Sequence, residues 1–141
     1  MRREGERYMT RFRLPYPETK AGKREWSRRY GLNAYWSGKS YYVRKQDADF
    51  WHAFVAVQLR RQRIRKRLYS HPVKITFWWN DGMDIDNHAA MGKMIVDSLR
   101  GWVLQDDSRK WFAACEHRFH DADYILVEVE EFESCANAGK E

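Results

Sequence analysis

Residues 73–79, Val-Lys-Ile-Thr-Phe-Trp-Trp, decide how the chain is read. β-Branched and aromatic residues fill the run, Pro72 precedes it, and Asn80-Asp81-Gly82 closes it with turn chemistry, so it reads as a buried strand. Just beyond, Asp86 or Asn87 opens a helix that runs to about Arg100, with Gly101 placed as its C-cap. Upstream, residues 8–14 alternate Met9, Arg11 and Arg13 against Thr10, Phe12 and Leu14 until Pro15 and Pro17 stop them, which is the pattern of a first strand. Downstream, 111–119 and 124–132 read as two further strands joined across His120-Asp121-Ala122-Asp123.

The region between the first strand and the central one is less regular. Asp47 is expected to cap a helix whose apolar stripe is Phe50, Phe54, Val57, Ile64 and Leu68, widened by Trp51 and Val55. Arg60, Arg61, Arg63, Arg65, Lys66 and Arg67 crowd its C-terminal turns, where they suit the negative end of the helix dipole or, equally, a phosphate backbone. Residues 18–45 contain three glycines and no clean period, and read as one long aromatic and basic loop. The expected fold is therefore α/β of the α+β type: one compact domain, with a small mixed sheet of about four strands and two main helices packed on it. Residues 1–7 and 134–141 are expected to fray.

The chain's 141 residues fit one domain, and 43% hydrophobic residues with 16% aromatics suffice for a core without disulfides or a structural metal. The net charge of +6 hides an asymmetry. Residues 1–67 carry 19 Lys/Arg and 6 Asp/Glu, whereas 68–141 carry 7 and 14. A basic half of this density points to a polyanionic partner, most commonly nucleic acid. Two cysteines, Cys115 and Cys135, suit a reduced compartment. Nothing resembles a signal peptide or a run of eighteen apolar residues, so a cytoplasmic protein without membrane association is expected.

Chemistry concentrates between Asp84 and Asp107. Asp84 and Asp86 stand two apart after the central strand, so in extended geometry both carboxylates point to one side and repel unless a cation lies between them. Hard divalent ions take such oxygens and keep waters that a phosphate can replace. Asp106 and Asp107 offer a second carboxylate source after the helix. On that helix, Asp86, Ala90, Lys93, Asp97 and Arg100 form one stripe, and a lysine beside metal-binding carboxylates can stabilise charge developing on a phosphate. The plainer alternatives stay open: Asp84 and Asp86 as turn and cap residues, and Lys93 with Asp97 as a surface ion pair. An EF-hand is excluded, because Ala89 and Ile95 stand where the loop needs Gly and Glu.

The ordered set Asp84-Ile85-Asp86-Asn87, helical Lys93, Asp97-Ser98-Leu99 and Asp106-Asp107-Ser108 resembles the RusA-like family of Holliday junction resolvases. Leu14-Pro15-Tyr16-Pro17 and Leu32-Asn33-Ala34-Tyr35 are similar to the family's proline-marked first strand and its Asn/aromatic loop. The resemblance spans about 11–132 and implies a compact α/β homodimer that resolves four-way DNA junctions by Mg2+-dependent paired nicks, with Mn2+ as a possible substitute. Many members are carried by phages and prophages. It also implies that Asp84, Asp86 and Asp107 bind the metal and that Lys93 is catalytic. Some members place the lysine one turn earlier, where this chain has Ala90, and 18–30 looks like an insertion.

Other features carry less. Asn33, Tyr35, Lys39, Arg44, Lys45, Arg60 and Arg61 are the expected DNA contacts, because aromatics among cations can stack on unpaired bases while the cations hold phosphates. Those rings read equally well as cover for the core. Cys115, His117 and His120 invite a zinc reading, with Asp121 or Cys135 as the added ligand, but strand alternation accounts for them better. His88 is expected as a partly exposed helix-start histidine. No nucleotide-binding or serine-hydrolase motif occurs, and no nucleotide cofactor is expected. The alternative function is a non-catalytic basic nucleic-acid-binding protein.

Overall fold

The computed structural model describes residues 9–132. The expected frayed tails, and Cys135, lie outside the described residues. Four strands, β1 (Met9–Pro15), β2 (Val73–Trp79), β3 (Phe112–Phe119) and β4 (Tyr124–Glu131), form one mixed sheet in the order β1-β4-β2-β3. β4 runs antiparallel to both neighbours, while β2 and β3 are parallel. A parallel pair needs a crossover, and the segment between β2 and β3 supplies it: a 3-10 turn (Ile85–His88) followed by a helix that ends at Leu99. The fold is thus the expected α+β domain with a four-stranded mixed sheet.

The period-2 pattern of β1 is realised directly, since Thr10, Phe12 and Leu14 are buried while Met9, Arg11 and Arg13 face out. On the inner face they meet Ile75, Phe77 and Trp79 of β2 and Ile125, Val127 and Val129 of β4, all buried. On the outer face Arg11 stands opposite Glu128 in register and pairs with it at 2.7 Å, and Lys74 pairs with Glu116 at 2.8 Å. The link from β3 to β4 is not a hairpin. It crosses the end of β2, held by His120 N–H donating to the Trp79 carbonyl and Asn80 Nδ2 donating to that of Ala122.

Residues 18–45 are not a loop. They form α1 (Lys20–Tyr30), α2 (Leu32–Trp36) and the start of α3 (Tyr41–Arg61), with Thr19 and Ser40 as N-caps whose hydroxyls accept from Gly22 and Val43 N–H. Asp47 is therefore not a cap but an interior residue of α3. The face that α3 buries is Asp47, Trp51, Val55 and Leu59 at spacing four, so the expected stripe was rotated. Phe50 and Val57 are exposed, and Ile64 and Leu68 lie beyond the helix. The helix stops at a Schellman turn built on Arg63, whose φ is 58°, with Arg63 N–H donating to Arg60 O and Ile64 N–H to Leu59 O. A left-handed arginine gives no glycine signal, which is why this end was misplaced by sequence reading.

The second long helix, α4 (Ala89–Leu99), starts after the 3-10 turn rather than at Asp86 or Asn87, and Gly101 follows its C-cap with φ 81° as expected. Met91, Ile95 and Leu99 of α4 and Trp51, Val55 and Leu59 of α3 close the core over the sheet. Burial of each such side chain contributes about 1.5–3 kcal/mol. Among the described residues no helix is long and apolar enough to cross a membrane.

Candidate functional site

The turn after β2 presents the paired aspartates. Asp84 precedes the 3-10 turn in extended conformation and makes no side-chain capping bond, and Asp86 sits within the turn. Both are exposed. Neither carboxylate has a hydrogen-bond or ion-pair partner among the described residues. Asp84 thus occupies the N-cap position and Asp86 the turn, as the plainer alternative has it, but Asp84 caps without a side-chain bond.

The turn itself is anchored from beneath by His88. Contrary to the expected part-exposed residue, His88 has 0% relative exposure, because its ring stacks on Trp79 at 4.3 Å and Nε2 lies 2.8 Å from both Asp81 oxygens. Nδ1 lies 3.1 Å from the Ile85 carbonyl, inside the turn. A side chain bound at both nitrogens and one face fixes where residues 84–86 stand. Gly31 supports the turn from the other side, since a Cβ there would meet the Ser27 carbonyl at 2.8 Å and Met83 Sδ at 3.2 Å.

Lys93 and Asp97 occupy the outer face of α4, 3.4 Å apart, with Lys93 65% exposed. Three concavities meet at this pair. A groove of about 310 Å³ opens toward α1–α3 and is bordered by Tyr35, Lys39, Arg44 and Asp47. A second cavity of about 290 Å³ runs between α4 and β3 from Ala89 to Asp107, past Cys115 and His117. A third, of about 350 Å³, is bordered by Asp49, His52, Arg100 and Asp107. Asp107 lies 3.8 Å from Arg100, so it sits against the C-terminal half of α4, whereas Asp84 and Asp86 precede its N-terminus. An eleven-residue helix rises about 16 Å. Among the described residues no group of three or more His, Cys, Asp or Glu is placed to hold a metal ion. Neither Cys115, His117 and His120 nor Asp84, Asp86 and Asp107 form such a group. His120 instead donates its Nε2–H to the Tyr124 carbonyl, 2.6 Å away.

The expected DNA contacts fall into two groups. Asn33, Tyr35, Arg44, Lys45, Arg60 and Arg61 are exposed. Tyr35 and Arg44 border the groove beside Lys93, Lys45 is 3.6 Å from Asp49, and Arg60 lies over the Trp102 ring. Lys39 is different. Its ammonium donates to the Arg29 carbonyl and to Asp47 Oδ2, and its side chain is only 15% exposed. Arg29 Nε donates to the other Asp47 oxygen at 2.7 Å. One acid therefore holds two cations of the basic half in place, which the charge count could not reveal.

Local electrostatics separate these groups further. Asp106 is held below the usual carboxylate range, chiefly by the Asp107 N–H and then the Ser108 hydroxyl. Burial holds His117 below the usual histidine value, with His88 adding to it. Although Cys115 is exposed as a residue, surrounding atoms strip water from its thiol and push its pKa up to about 11, which keeps it protonated at neutral pH. Sequence reading missed Asp49 and His52 at this face, and it named His117 only within the zinc reading and the strand pattern. Of these only His117 had a signal, its place in the strand alternation. No protein-family model matches the chain, and no curated protein matches it.

Proposed function

We propose that the chain is a Mg2+-dependent, structure-specific DNA endonuclease of the RusA-like type, acting on four-way junctions as a cytoplasmic homodimer. The observation that supports this best is the pair of unpartnered, exposed carboxylates of Asp84 and Asp86, fixed on a buried histidine at the end of the central strand. Like charges so placed favour a hard divalent cation. Asp84 and Asp86 fit that ion by donor chemistry, and Asp107 is the third carboxylate the resemblance supplies. Asp107 lies 3.8 Å from Arg100 and borders the cavity that runs past Lys93 to Ala89, the first residue of α4.

Bound Mg2+, or Mn2+ in its place, would supply Lewis-acid polarisation of the scissile phosphate and a nucleophile at neutral pH. Lys93 needs little to act, because an exposed pair such as Lys93 and Asp97 is worth about 0–1 kcal/mol and yields to a phosphate. Its ammonium then stabilises charge developing on the phosphoryl oxygens. Arg44, Arg60 and Arg61 hold the flanking backbone, and Tyr35 offers a ring to bases unstacked at a junction centre. Two symmetry-related strands to be cut call for two copies of the site, hence a dimer.

The test is incubation with a synthetic four-way junction in Mg2+ and in EDTA. Paired nicks in Mg2+ alone are expected. Salt-sensitive binding without nicking leaves the non-catalytic nucleic-acid-binding protein, and absence of binding removes both readings.

A further inference from the structure

The proposed function leaves His117 unused, yet it is among the most constrained polar side chains beside Lys93. Its ring is sandwiched along β2 and β3, stacked near Phe77 at 5.3 Å and Trp79 at 5.9 Å. Trp79 Nε1 donates to His117 Nδ1 at 3.0 Å. An indole nitrogen is only a donor, so Nδ1 must present its lone pair, and in the neutral ring the proton sits on Nε2. Among the described residues Nε2 has one weak partner, Cys115 Sγ at 3.6 Å, and both residues form the wall of the cavity they share with Lys93, Asp97 and Asp107.

The opposite wall is cut to admit this ring. Gly92, the residue before Lys93, has no side chain, and a Cβ there would stand 3.2 Å from His117 Cε1 and 3.6 Å from the Phe77 ring. Burial, which disfavours the charged imidazolium, keeps the ring in the form that the Trp79 bond selects. The result is a neutral N–H donor of fixed direction. It lines the same cavity as the lysine, and its partner among the described residues is a thiol that a phosphate oxygen outcompetes as an acceptor.

Resting on the nuclease reading, we propose that His117 is a further substrate-contacting residue, whose Nε2–H donates to a non-bridging oxygen of the phosphodiester bound beside Lys93. No proton is transferred. The bond orients the phosphate and strengthens as charge accumulates on its oxygens. Cys115 is the acceptor that the phosphate displaces, and Gly92 is the clearance that lets donor and lysine face the same anion.

Two measurements on the intact protein decide this. In the first, 15N-edited NMR follows the His117 ring as a four-way junction is added in Ca2+, a hard ion of the same ligand class, with complex formation checked by mobility shift. A shift of the Nε2 and Hε1 resonances on binding is expected, and unchanged resonances in a formed complex overturn the proposal. In the second, nicking rates are compared for His117→Ala and His117→Gln, both verified as folded by circular dichroism. Loss of about 10²-fold in kcat for alanine, partly restored by the glutamine amide, is expected from removal of one oriented donor. Rates within twofold of the parent for both variants overturn it. If the parent protein binds the junction but never nicks it, the enzyme reading falls and the resonance shift alone decides whether His117 touches phosphate. If the junction does not bind, the two fall together.

Discussion

Asp47 and the Asp84–Asp86 pair are acids that the sequence presents in the same way, near the start of a helix, and the folded chain treats them oppositely. Asp47 is buried at 4% side-chain exposure with Arg29 and Lys39 each 2.7 Å from one of its oxygens. Asp84 and Asp86 are exposed and have no partner among the described residues. The first carboxylate brought its cations with it from the same chain. On the proposed function, the other two take theirs from outside, as a divalent ion. Stability should therefore depend on Asp47, and chemistry on the other two.

The largest expected effect is on chemistry. Asp84→Asn and Asp86→Asn should each lower Mg2+-dependent junction nicking by at least about 10³-fold, if the ion supplies several kcal/mol to the transition state. Junction binding should hold or tighten, since each change removes a charge facing the phosphates. Denaturant melts should shift by no more than about 0.5 kcal/mol, as for surface positions elsewhere. A stability loss comparable to that of Asp47 would break the contrast. Asp107→Asn sharpens it: a loss matching Asp84→Asn places Asp107 with the ion, while a small one leaves it with Arg100.

Next is Asp47→Ala, which should destabilise the fold by roughly 2–3 kcal/mol in urea unfolding. That is below the ~3–5 kcal/mol typical when a fully buried pair loses one member, because Arg29 is 40% exposed and can turn to water. Any nicking that survives should keep the parent's Mg2+ dependence.

The smallest effect is a pH slope. His117 titrates below its ordinary value of 6.5 in the folded chain, so between the folded and unfolded pKa values the unfolded state binds more protons. The contribution is fully present above about pH 6.5 and is lost as pH falls through the folded value. Unfolding measured from pH 7.5 to 5 should show this decline, and His117→Gln should flatten it. An identical slope in the variant would mean that His117 is not the group responsible.

Legibility followed the same division. β1, β2, β3 and β4 could be read because alternation or a β-branched run with proline and glycine punctuation is a local signal, and Gly101 marked a true helix end. Residues 18–45 could not, since α1 is short and strongly basic and α2 has only five residues. α1 is stabilised by Trp26 and Tyr30 packing on Trp51 of α3, a contact that no local pattern announces. At the site, the sequence located Asp84, Asp86 and Lys93 but not their supports. His88 under the turn, Asp47 under the groove and Trp79 behind His117 act through side-chain contacts that cross from one element to another, and no spacing rule encodes them.

The central claim is that the exposed aspartates lack only a cation, and Mn2+ titration followed by electron paramagnetic resonance tests it most directly. The parent protein should deplete the free-ion signal, and Asp84→Asn and Asp86→Asn should do so far less while Asp47→Asn matches the parent. Equal depletion by all four proteins, or none by the parent, would contradict the account.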